Sequence, residues 1–422
     1  MKVVHLNASD KGGASIVAQR LNEALNAYTD VNSHHLIFSG NSKGLLETTF
    51  WANSPLKKIR AFLNHALDKF DFLQYERNAE IRFQFNHARM GIDISNHPLI
   101  KEADIIHIHW VLKGFLSFET VEKLTHLGKP IVWTCHDLWP FTGGCFYLWG
   151  CENLPGGCGN CPYMNNPSPN DISHFLLLNK IKLFERANVN WVSPSRWLSD
   201  IARTSPVLNS NTIFSVIPNP IRVSDYEVSE RNKKNKLKTE LGLEPEIFTI
   251  LFSAANLENP AKGFNDFKGI VTLLTGFDVQ VIVVGRSKKD VQLPLPFYYA
   301  GYVRETARVK ELFAASDLYI TTSHEDNLPT TVMESLACGV PALGYAIGGV
   351  PELISHGETG YIFPKGDFNA MADGVKELLN NPTLQNEFSL NSRLKAENTY
   401  DESVVSKDYA SLYKQIAGRE TN

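Results

Sequence analysis

Short apolar runs rich in Val and Ile alternate with longer segments of helical spacing along the whole chain. This alternation constrains the fold more than any other feature. In the first half the runs are Val3–Leu6, Leu36–Phe38, Ile105–His109, Ile131–Cys135 and Ile213–Ile217. In the second they are Phe248–Phe252, Val279–Val284, Leu318–Thr321 and the segment Pro341–Gly344. Each is bounded by Gly, Pro, Asn or Asp. A strand of a parallel sheet meets water on neither face, so it reads as a continuous apolar run rather than an alternating one. Between the runs, sets such as Ile16, Leu21, Leu25 and Val309, Leu312, Phe313 recur at helical spacing. Alternating β and α implies doubly wound α/β architecture.

With 422 residues, 43% of them hydrophobic, the chain can bury a sizeable core. At roughly 150 residues per domain, two or three domains are expected. The segment Ile217-Pro218-Asn219-Pro220-Ile221 follows a strand with two prolines, and a polar stretch containing Lys233-Lys234-Asn235-Lys236 comes next. We therefore expect an N-terminal domain over 1–222, a second over 223–397, and a final helix over 398–422. That helix carries Val404, Val405, Tyr409, Leu412, Tyr413 and Ile416 on one side and needs a surface, expected on the first domain. Lys+Arg total 41 against Asp+Glu 45, a net charge of −4. No general basic field exists for nucleic acid, so an anionic ligand must be met by local groups. No apolar run is long enough to span a membrane, and Met1–Leu6 has no signal-peptide pattern. The expected location is cytoplasmic. Residues 56–70, with Lys57, Lys58 and Arg60 among Leu56, Ile59, Phe62, Leu63, Leu67 and Phe70, read as a helix. It either packs on the first domain or docks on anionic lipid.

The most informative stretch runs from Ser323 to Pro341. A strand ends at Thr321, a polar loop carries Asp326, Asn327 and Leu328, and Pro329-Thr330 opens a helix that bears Glu334 and stops at Gly339. The free amides of the helix start point between the two carboxylates and suit a phosphate. One carboxylate is then placed for sugar hydroxyls, the other for a ribose.

This stretch resembles the E-x7-E motif of retaining glycosyltransferases of the GT-B architecture, a family 4-like group that includes enzymes of bacterial surface polysaccharide synthesis. Asp326 takes the place of the first glutamate and Glu334 matches the second. Gly348-Gly349-Val350-Pro351-Glu352, after the next strand, is similar to the family segment in which a Gly pair lets backbone approach the donor. Lys262-Gly263 matches the family lysine that grips the diphosphate, while Asn256 stands where an arginine is usual. Arg286 is a candidate replacement. In the first domain, Gly12 and Gly13 open a helix after the first strand, as the family's Gly pair does. His136 ends a strand and matches the histidine facing the reacting centre. His107, His109 and Trp110 either line the acceptor side or pack in the core.

The resemblance implies two Rossmann-like domains facing across a cleft, with His136 and Asp326 catalytic. Gly12, Gly13, Asn256, Lys262, Asn327, Leu328 and Glu334 would bind the donor. It further implies a hexosyltransferase using a UDP- or GDP-sugar, with retention of configuration. The implied acceptor is a saccharide, free or lipid-linked, of exopolysaccharide or lipopolysaccharide synthesis, with peripheral contact at the inner membrane. No D-x-D triplet occurs, which fits a site without a catalytic metal. Two other readings stay open: a degenerate, non-catalytic scaffold, and a phosphorylase or epimerase of the same architecture.

Cys145, Cys151, Cys158 and Cys161 form C-x5-C-x6-C-x2-C inside the Gly/Pro-rich loop 143–162. In a reducing compartment such a set suits structural zinc. Free thiols, disulfides and an iron–sulfur centre are the other readings.

Overall fold

The computed structural model describes residues 1–422 except 80, 83, 210, 211 and 420–422, and not the side chain of residue 419. The chain divides into two compact units. Unit 1 comprises Met1–Pro220 with Glu402–Asn422, and unit 2 comprises Ile221–Asp401.

Unit 1 is built on a seven-stranded sheet in the order β3-β2-β1-β4-β5-β6-β7. Its strands are β1 (Lys2–Ser9), β2 (Asn32–Ser39), β3 (Thr48–Phe50), β4 (Ile105–Ile108), β5 (Ile131–Thr134), β6 (Val189–Ser193) and β7 (Phe214–Val216). Unit 2 has six, β8 (Phe248–Asn256), β9 (Val279–Arg286), β10 (Phe297–Gly301), β11 (Leu318–Thr321), β12 (Ala342–Tyr345) and β13 (Gly360–Phe363), ordered β10-β9-β8-β11-β12-β13. Every pairing between these strands is parallel. Each unit is therefore a doubly wound sheet, the domain type of the GT-B architecture.

The apolar runs lie at the sheet centres, where both faces are covered. β3, β10 and β13 have no such run: they are edge strands, and their residues are mostly half-buried. β6 is interior but is broken as a pattern by Asn190, whose amide donates to the Ile131 carbonyl at 3.3 Å.

One face of the unit 1 sheet packs Val4, Leu6, Ile106, Ile108 and Trp133 against the surrounding helices. The other packs Val3, Ile105 and Val132 against Leu21 and Leu25 of helix Gly13–Tyr28 and against Val405, Tyr409 and Tyr413 of helix Glu402–Arg419. The last helix of the chain thus completes the first sheet. Its Tyr413 hydroxyl lies 2.6 Å from His107 Nδ1, and its Tyr409 hydroxyl 2.9 Å from Thr134 Oγ1. Tyr413→Ala removes a fully buried ring and one partner of a buried imidazole. We expect a loss of about 3–5 kcal/mol in unit 1 stability by urea unfolding, and for Tyr413→Phe about 1–3 kcal/mol.

Candidate functional site

In each sheet the strand order reverses once, between β1 and β4 in unit 1 and between β8 and β11 in unit 2. Loops from the carboxyl ends of those strands leave in opposite directions, which opens a crevice where α/β proteins bind ligands.

In unit 2, β8 ends at Asn256 and the chain makes a single turn over Pro260–Lys262. Gly263 follows with φ +66°, and a Cβ there would sit 1.9 Å from the Thr322 carbonyl oxygen. Glycine is what lets this turn lie against the end of β11. There Thr322 Oγ1 donates to the Gly263 carbonyl at 2.7 Å, and the His324 amide to that of Ala261 at 2.7 Å. The result is a Lys262 ammonium held 2.5 Å from Asp326 Oδ2. Gly348, at φ +55°, approaches the backbone of Asp326 so closely that a Cβ would lie 1.8 Å from its carbonyl oxygen. The Gly349 amide donates to the same oxygen at 3.1 Å. The Gly pair thus clamps the Asp326 loop.

Asn327 and Leu328 are buried, and the helix Thr330–Ala337 starts at Pro329 without a side-chain cap. Its first amides are available to an anion. Glu334 lies on this helix and accepts from the Tyr226 hydroxyl at 3.2 Å. Asn256 is the in-register neighbour of Arg286 on β9. Its side-chain oxygen accepts from the Glu258 amide at 3.1 Å, so it serves the local turn. The exposed Arg286 guanidinium stands 4.6 Å over the Tyr302 ring. The positive charge missing at 256 therefore exists one strand away, on the same sheet edge.

Tyr226 and Asp266 escaped the motif reading. Asp266 is engaged by His324 Nε2 at 3.0 Å and by the Tyr345 hydroxyl at 3.2 Å. These partners lie far apart in sequence, and only the β8–β11–β12 adjacency brings them together.

In unit 1, Gly12 adopts φ +100° and precedes the helix Gly13–Tyr28; a Cβ on either glycine would meet nothing within 4 Å. The turn is open to solvent, and φ alone selects glycine at 12. His136 follows β5, half-buried, with Nε2 3.1 Å from His109 Nδ1. His109 Nε2 is in turn 2.9 Å from His5 Nδ1. His109 is 2% exposed and borders the small hollow that Trp110, His136 and Asp137 also line. His5 Nε2 has no partner among the described residues. A buried N–H without an acceptor costs more than a lone pair without a donor. The chain therefore runs His5 Nδ1–H to His109 and His109 Nδ1–H to His136, which leaves the proton of neutral His136 on Nδ1.

His5 pairs in register with His35 on one side and His107 on the other. Among the described residues, His5, His107 and His109 are the set whose ligand atoms come within 4.8 Å of one another. His107 engages both ring nitrogens with hydroxyls, Tyr413 at 2.6 Å and Thr134 Oγ1 at 2.7 Å, which suits a core network rather than metal. Burial, and then neighbouring histidines, holds His5, His107 and His109 well below the usual imidazole range. Burial alone takes His136 to about 4.

Trp110 Nε1 donates to Asp137 Oδ2 at 3.0 Å, and the Trp139 amide to Oδ1 at 2.9 Å. Burial still raises this carboxyl to about 6. Cys145, Cys151, Cys158 and Cys161 line one cavity of about 20 Å³. Its walls are shaped by Cys158 and Asn160 at positive φ, and by the Cys161 amide donating to Asp171 Oδ2 at 2.8 Å. The four cysteines line one space, and among the described residues they do not form a set as close as the histidines.

Residues 233–395 match the family Glycosyl transferases group 1. This segment contains Lys262, Asp326, Glu334 and the Gly348-Gly349 clamp. Among curated relatives, the putative colanic acid biosynthesis glycosyl transferase WcaC of Escherichia coli is 29% identical over 201 residues, 45% of this chain and 47% of that one. The N,N'-diacetylbacillosaminyl-diphospho-undecaprenol alpha-1,3-N-acetylgalactosaminyltransferase of Campylobacter jejuni is 23% identical over 190 residues, 44% of this chain and 50% of the relative. The chain spans about half the length of the curated relatives it matches first. Among solved structures, HepE of Anabaena in complex with UDP-glucose superposes with a TM-score of 0.65 at 18% identity, covering 98% of this chain and 100% of that one. That likeness is one of fold and runs over both units.

The histidine core has a consequence for acid stability. Imidazoles whose folded pKa is depressed stabilise the fold fully above their unfolded value of about 6.5 and lose that contribution as pH falls. We expect unit 1 stability to decline from pH 6.5 toward 4, with a slope of up to about 1.4 kcal/mol per pH unit for each such group. His35, taken to about 3 by burial, is one of them. A His35→Gln variant should take up about one proton fewer on acid unfolding, measured by denaturant titration across this range.

Proposed function

We propose that the protein is a retaining glycosyltransferase that moves a hexose from a nucleotide-diphosphate sugar to a saccharide acceptor of surface polysaccharide synthesis. The observation that carries this reading is the Lys262–Asp326 pair beside the uncapped start of helix Thr330–Ala337. A diphosphate offers Lys262 a stronger partner than one carboxylate and accepts the free amides of the helix. Asp326, released from the lysine, is then free to accept from sugar hydroxyls. Glu334, steadied by Tyr226, is suited to a ribose. As the bond from the anomeric carbon to the diphosphate breaks, negative charge grows on the departing phosphate oxygen. Lys262, the helix amides and Arg286 are the groups suited to stabilise it. His136, a donor at Nδ1, suits an oxygen of the transferred sugar or the acceptor. No resident cofactor is needed for these steps.

The UDP-glucose complex of HepE supports a UDP-sugar donor, and the colanic acid relative supports a polysaccharide product. No helix among the described residues is long and apolar enough to cross a membrane. Helix Pro55–Leu73 instead turns its apolar side outward: Leu56, Ile59, Phe62, Leu63, Leu67 and Phe70 are each at least half exposed. Exposed Lys58 and Arg60 flank that stripe. This surface suits the anionic cytoplasmic leaflet and an acceptor carried on lipid.

We assign a structural zinc ion to Cys145, Cys151, Cys158 and Cys161. Support comes from their shared cavity and from Lys180, a fully buried lysine whose charge acts on Cys145 and Cys158. Zinc-bound thiolates would offset that ammonium. Metal analysis of purified protein should find about one equivalent of zinc, lost in Cys158→Ser/Cys161→Ser; less than half an equivalent refutes the assignment.

Donor hydrolysis and transfer, measured across UDP- and GDP-sugars, test the enzyme reading. Glu334→Ala should weaken nucleotide binding about 10- to 100-fold, and His136→Ala should lower kcat about 100-fold with little change in KM. Nucleotide-sugar binding without turnover would identify a scaffold instead.

A further inference from the structure

Three imidazoles of unit 1 stand in single file, ending at His136. His5 lies on β1, His109 just after β4 and His136 just after β5, and the strand order β1-β4-β5 makes them neighbours. His5 Nδ1 is 2.9 Å from His109 Nε2, and His109 Nδ1 is 3.1 Å from His136 Nε2. His109 therefore engages both of its ring nitrogens with the other two rings. His107 stays out of the file. Its ring stacks on His109 with centroids 4.1 Å apart, but its nitrogens meet the Tyr413 and Thr134 hydroxyls. His5 and His109 are buried, and burial holds both well below the usual imidazole range, so each ring is neutral and carries one N–H.

With one proton per ring, two arrangements satisfy both contacts. In the first, His5 Nδ1–H donates to His109, and His109 Nδ1–H donates to His136. In the second, His136 Nε2–H donates to His109, His109 Nε2–H donates to His5, and the His5 proton is left on Nε2. That nitrogen is buried and meets no partner among the described residues. An orphaned buried N–H costs more than an orphaned lone pair, so the first arrangement wins. The free end of the file, at His5, thus decides which way every proton in it points.

We propose that His109, backed by His5, is the positioning residue of His136: its Nδ1–H holds the His136 ring at Nε2 and keeps the His136 proton on Nδ1 during turnover. The consequence for turnover rests on the transferase reading above; the direction of the file does not. Without the His109 donor, neutral His136 exchanges between two tautomers, and one of them presents a lone pair at Nδ1 in place of a donor. The geometry also separates two amide substitutes at 109. The amide of Asn stands at the distance of Nδ1 along the side chain, where it can donate to His136. That of Gln stands at the distance of Nε2, where it meets His5 and leaves His136 unheld.

The test reads the tautomer directly, by nitrogen NMR of the full-length protein labelled with 15N-histidine at neutral pH. The His136 signals are assigned by their loss in His136→Gln. His136 should carry its proton on Nδ1; a proton on Nε2 in the wild type would overturn the proposal, whether or not any variant folds. In donor hydrolysis, measured across UDP- and GDP-sugars, His109→Gln should lower kcat about tenfold or more with little change in KM. His109→Asn should restore most of that loss and keep the Nδ1–H signal of His136. An unaltered unfolding midpoint verifies that each variant is folded. Equal kcat losses in the Asn and Gln variants, or a loss carried by KM, would reduce His109 to a packing residue and overturn its positioning role. A wild type that binds nucleotide sugars without turning any over sinks the transferase reading, and the tautomer measurement still decides the direction of the file.

Discussion

All the described strands of both sheets run parallel, and the rest of the molecule follows from that constraint. A parallel strand is reached only by a crossover, so helices cover both faces and the strands are dry. Dry strands disfavour charge, and in the row His35, His5 and His107 across the unit 1 sheet burial holds each imidazole below its usual range. Parallel strands also gather their carboxyl ends on one side. Where the order reverses, those ends are left uncovered, and both groups of candidate site residues lie there.

Within unit 2 the decisive contact is backbone to backbone. Gly263 against Thr322 and Gly348 against Asp326 bring three loops to within a carbonyl's width of one another. Lys262 and Asp326 meet because these approaches leave no room for a side chain. The two charges satisfy each other, which avoids an isolated ammonium at a half-buried site. Under the proposed function an anionic donor would compete for the same lysine, and its binding would release Asp326. Arg286, the in-register neighbour of Asn256, stands over the Tyr302 ring.

Helix Pro55–Leu73 inverts the usual amphipathic arrangement. Its buried face carries only Ala61, Asp68 and Phe72 among its fully buried residues, while its longest apolar side chains face outward. A helix that only packed on its own domain would gain by turning those residues inward. The lipid contact proposed above would give that outer face a partner.

The sequence alone determined the α/β class, because continuous Val/Ile runs separated by helical spacing have few other solutions. It also determined the local chemistry of the stretch from Asp326 to Glu334, since a proline-started, glycine-stopped helix needs no distant partner. Edge strands β3, β10 and β13 were illegible, because half-exposed strands have no apolar run. Tertiary structure alone decided which residues are neighbours across the sheets. It put Arg286 beside Asn256, Tyr226 on Glu334, and His324 and Tyr345 on Asp266. It also set His109 between His5 and His136. Alternation along a strand says that His107 and His109 share a face; only the order of strands, and the C-terminal helix laid over them, says that this face is buried.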